Sequence, residues 1–74
     1  MERATLETFV VTVGDDALPR LTEVARSLSE KGLEVEDVGL QTGVISGRAP
    51  RSLMAALLDV DGVEAVEISR KVSL

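Results

Sequence analysis

The sequence predicts a two-layer α+β sandwich of order βαββαβ, and three observations carry that reading. The hydrophobic pattern switches repeatedly between the alternation of a half-buried strand and the longer period of an amphipathic helix. Each switch coincides with a cluster of Gly, Pro or Asp that breaks regular structure. Finally, 74 residues of which 45% are hydrophobic suffice for one core and one domain, spanning residues 1–74.

The first strand is read at residues 8–13, Thr-Phe-Val-Val-Thr-Val, which are β-branched or aromatic throughout. Phe9, Val11 and Val13 share one face; Thr8, Val10 and Thr12 share the other. Gly14-Asp15-Asp16 ends it, with either aspartate able to cap a helix and Pro19 suited to the first turn. Leu18, Leu21, Ala25 and Leu28 then recur at helical spacing, and Gly32 is placed to end the helix.

Residues 33–40 return to alternation, with Leu33 and Val35 inward and Glu34 and Glu36 outward. Val38 and Leu40 fall on the opposite parity. Two readings stay open: a bulge near Asp37, or a second half whose apolar side chains face away from the core. Gln41-Thr42-Gly43 is a tight connection, and Val44-Ile45-Ser46-Gly47 is the returning strand. Pro50 is expected to open a second helix bearing Leu53, Ala56, Leu57 and Val60. Asp61-Gly62 signals a turn, and Val63 to Ile68 reads as the last strand, with Val66 and Ile68 on one face and Ala65 and Glu67 on the other. Right-handed crossovers fold this order into a ferredoxin-like sandwich. Its four-stranded antiparallel sheet has order 4-1-3-2, with both helices on one face.

Composition narrows the function. The formal net charge is −5, and Phe9 is the only aromatic residue. Nucleic acids and anionic membranes are bound through Lys/Arg clusters, and single strands also through stacking rings, so neither is an expected partner. No apolar run reaches the roughly 20 residues of a membrane span. Met1 to Thr5 does not read as a secretory signal, so the cytoplasm is the expected location.

The chain has no Cys and no His. The usual metal ligands, the commonest general base and any disulfide are therefore missing. Asp15, Asp16, Asp59 and Asp61 are explained by helix ends and turns, and Lys31 by the last turn of the first helix. No phosphate-binding glycine loop is present. The expectation is a non-enzyme with no catalytic residues, no cofactor and no metal, acting by binding a protein. The place for such binding is the sheet face that the helices leave open, because apolar patches rimmed by polar groups mark partner contacts.

Val44-Ile45-Ser46-Gly47, the leucine-bearing segment with Leu53, Leu57 and Leu58, and Asp61-Gly62-Val63-Glu64-Ala65-Val66-Glu67 together resemble the propeptide and inhibitor family of subtilisin-like serine proteases. The resemblance covers the chain from Leu33 onward. It implies a free-standing protease inhibitor or folding chaperone, whose open sheet face packs on helices of the protease. Glu34, Glu36 and Glu67 would then cap or contact those helices. Lys71, Val72, Ser73 and Leu74 would form a tail in the active-site cleft, with Leu74 in the primary specificity pocket. The chain departs from the family in lacking aromatic residues in its central hairpin and in carrying Lys71 where an apolar side chain is usual. The alternatives are a module similar to regulatory ACT domains, holding a small ligand at a dimer interface, and a scaffold or adaptor. Monomer and homodimer both remain open.

Overall fold

A computed structural model describes residues 6–69. Strand β1 (Leu6–Val13) leads through a 3₁₀ segment (Asp15–Arg20) into helix α1 (Leu21–Lys31). Strands β2 (Glu34–Gly39) and β3 (Val44–Pro50) follow as a hairpin. A 3₁₀ turn (Arg51–Leu53), the short helix α2 (Met54–Leu58) and strand β4 (Val63–Ser69) complete the order. The sheet is four-stranded, with order β2-β3-β1-β4 and every neighbouring pair antiparallel. Read from the other edge, this is the expected 4-1-3-2 arrangement of a ferredoxin-like α+β sandwich.

One core joins the two layers. Phe9, Val11, Val13 and Ile45 supply it from the sheet; Leu21, Val24, Ala25, Leu28 and Leu57 supply it from the helices. Both helices therefore cover the same sheet face. No polar or charged residue is buried among the described residues, so folding rests on aliphatic burial.

Helix α1 ends at Gly32, whose φ of 117° lies in the left-handed region that side chains avoid. Its N–H donates to the Ser29 carbonyl at 3.0 Å, and the Leu33 N–H donates to the Leu28 carbonyl at 3.1 Å. Two carbonyls at the helix end are thereby satisfied.

Four sequence-based expectations are corrected. Leu18 is not a core residue; it is exposed, while Ala17 and Val24 are buried. The cause is the 3₁₀ segment, whose three residues per turn rotate Leu18 away from the position an α-helix would give it. Asp15 and Asp16 make no side-chain cap; the Ala17 N–H instead donates to the Gly14 carbonyl at 2.9 Å.

Pro50 does not open a helix. It is the last residue of β3, opposite Leu6. Strand β3 consequently runs three residues past Gly47. A Cβ at Gly47 would stand 2.5 Å from the Glu34 carbonyl oxygen and 3.0 Å from Leu33. Glycine here marks close approach of the neighbouring backbone, not the end of the strand.

The parity conflict in residues 33–40 resolves as a bulge. Val35 pairs with Gly47 and Asp37 with Ser46, leaving Glu36 as the extra residue. Val38 then falls opposite Ile45 and packs on the core. Leu40 lies beyond the strand in the hairpin turn, 72% exposed.

Candidate functional site

The uncovered face of the sheet is defined by strand register. Three rows cross all four strands in the order β2-β3-β1-β4: Glu34–Arg48–Thr8–Ser69, Asp37–Ser46–Val10–Glu67, and Gly39–Val44–Thr12–Ala65. Leu6 and Pro50 extend the face at one end of the two central strands. Val10, Thr12, Val44, Ser46, Ala65 and Pro50 are only partly exposed, because short neighbours shelter one another on the pleated surface. Leu6 is 48% exposed.

Charge on this face is segregated. The outward carboxylates belong to the edge strands: Glu34, Glu36 and Asp37 on β2 and Glu67 on β4. The central strands contribute small, apolar and hydroxyl side chains, with Arg48 as their one outward charge among the described residues. The Arg48 guanidinium Nε donates to Glu36 Oε2 at 2.8 Å. That hydrogen bond, and then the attraction of the same carboxylate, raises the Arg48 pKa above its ordinary value, so the guanidinium stays charged. Glu36 is the extra residue of the bulge, beside Asp37, which stands opposite Ser46.

Of the residues singled out from sequence, Glu34, Glu36 and Glu67 all reach this face. They do not converge on one point: Glu34 and Glu36 stand at one edge and Glu67 at the other. Lys71, Val72, Ser73 and Leu74 lie outside the described residues. Sequence reasoning missed Arg48, because it ended the strand at Gly47; the continued alternation Val44, Ser46, Arg48 was the available signal. Val44 and Ser46 both belong to the open face. Val38 and Leu40 do not.

A second feature is an open concavity of about 570 Å³ at the end of the sandwich, between the Gly14–Ala17 segment and Asp61–Glu64. Arg20 and Asp61 form an ion pair there at 3.5 Å. No group of three or more His, Cys, Asp or Glu side chains able to hold a metal ion occurs among the described residues.

No helix of the described residues is long and apolar enough to cross a membrane. Comparison of the chain with protein-family models, with curated proteins and with solved structures finds no significant match.

Proposed function

We propose that this chain is a protein-binding module that docks onto a larger protein through the uncovered face of its sheet, and that it acts by binding rather than by catalysis. One observation carries the reading: a partly apolar band of Leu6, Val10 and Val44 on the central strands, continued by Ala65 on β4, is flanked by carboxylates of both edge strands. Apolar surface framed by polar groups is the ordinary make-up of a protein contact. The specific form that the resemblance suggests is a free-standing inhibitor or folding chaperone of a subtilisin-like serine protease.

The ACT-like alternative would join two sheets side by side through edge strands. Both edges oppose this. Strand β2 is bulged at Glu36, and β4 shifts register at Glu64, between Val63 and Ala65. Each edge also carries carboxylates that repel those of a second copy.

The test is the rate of peptide cleavage by a subtilisin-like protease with the chain added in stoichiometric amount, alongside a Val10→Arg variant. Inhibition that Val10→Arg relieves is the expected result. Absence of inhibition removes the protease form of the reading. Inhibition that Val10→Arg leaves untouched removes the open face from the contact.

A further inference from the structure

We propose that the occupant of the uncovered face is a basic amphipathic α-helix of another protein, lying along β1 and β3 with Lys or Arg on both flanks. This rests on the reading that the face is a docking surface, and it names the partner's chemistry.

Asp37 and Glu67 end the same row, separated by Ser46 and Val10. Three strand spacings put their backbones about 14 Å apart. An α-helix with its side chains is about 10–12 Å across, so it fits above the central strands with its flanks over the two edges. Along the strands, the outward positions from Leu6 to Thr12 extend about 20 Å. That length matches about 13 helical residues, enough for apolar anchors at i, i+3, i+4 and i+7.

Electrostatics selects the sign of the flanks. Glu34, Glu36, Asp37 and Glu67 face one guanidinium, Arg48, which Glu36 already engages. An acidic helix, or the same face of a second copy, would meet like charge on both sides. A partner strand is disfavoured because each edge ladder is interrupted by a register shift. A helix needs no ladder, since its backbone hydrogen bonds are internal.

Three synthetic helical peptides with one apolar stripe and Lys, Gln or Glu on both flanks provide the probe. Affinity is read by fluorescence anisotropy at low and high salt, and location by amide chemical-shift changes. The Lys-flanked peptide is expected to bind, to shift amides of Val10, Val44 and Ala65, and to weaken as salt rises. Combining Glu34→Gln, Asp37→Asn and Glu67→Gln is expected to weaken it about tenfold, three exposed ion pairs' worth. These positions are exposed, and circular dichroism of the variant checks that it stays folded. Equal binding of the Gln-flanked peptide, or unchanged affinity in the triple variant, overturns the basic partner while leaving the docking face standing. Shifts confined to the Gly14 and Gly62 end, or binding by none of the peptides, also overturn it; the Val10→Arg experiment then judges the docking face separately.

Discussion

Val38 stands directly opposite Ile45, on the side of the sheet that the helices cover. Its position follows from the single extra residue at Glu36: without the bulge the parity that places Val35 inward would send Val38 outward. Deleting Glu36 therefore leaves Glu34, Asp37, Val35 and Val38 on their present faces, in an unbroken alternation. The fold is expected to survive this deletion, with Arg48 losing its partner. Inserting one alanine after Asp37 is expected to turn Val38 out and to destabilise the domain by about as much as Val38→Asp, about 2 kcal/mol or more. Urea unfolding of the three variants checks the order.

Gly47 is the glycine of the sheet whose added Cβ would come closest to neighbouring backbone. Gly47→Ala would force a methyl to within 2.5 Å of the Glu34 carbonyl, and backbone cannot yield as a side chain does. A loss of about 1–3 kcal/mol is expected from such overpacking. The measurement is the urea midpoint, with amide shifts of Glu34 and Val35 reporting whether β2 moves away.

Phe9 is fully buried at the centre of the core. Phe9→Ala is expected to cost about 3–5 kcal/mol. A domain of 74 residues has a total stability of about 4–11 kcal/mol at about 0.05–0.15 kcal/mol per residue. The variant should therefore lie close to the unfolding threshold, whereas Val10→Thr on the other face should shift stability by about 1 kcal/mol or less. Thermal melts followed by circular dichroism separate the two.

The edge carboxylates are expected to keep the chain from pairing with itself. Replacing Glu64 and Glu67 by threonine removes the repulsion on β4 and raises its strand preference. Light scattering should then show more concentration-dependent association than the unmodified chain gives at the same concentration. If the two behave alike, the charges on β4 do not guard that edge.

Much of the fold was legible because its signals are local. Alternation in β1 assigns Phe9, Val11 and Val13 to the core, and their burial agrees. Gly32 reads as a helix end because few other residues adopt its backbone geometry. The misreadings have two causes. Gly47 and Pro50 are breakers by residue preference, yet pairing with the neighbouring strands keeps both in β3; Leu18 fits an α-helical spacing, yet its segment is 3₁₀.

The residue order alone determined the order of strands and helices and, in β1 and β4, which residues share a face, because period and turn chemistry are properties of a short stretch of chain. Only the tertiary structure decided where Glu36 is squeezed out, how far β3 continues, and that Asp37 and Glu67 end one row with Val10 between them. Those relations depend on register between strands distant in sequence, and register is set by packing against the helices rather than by any single segment.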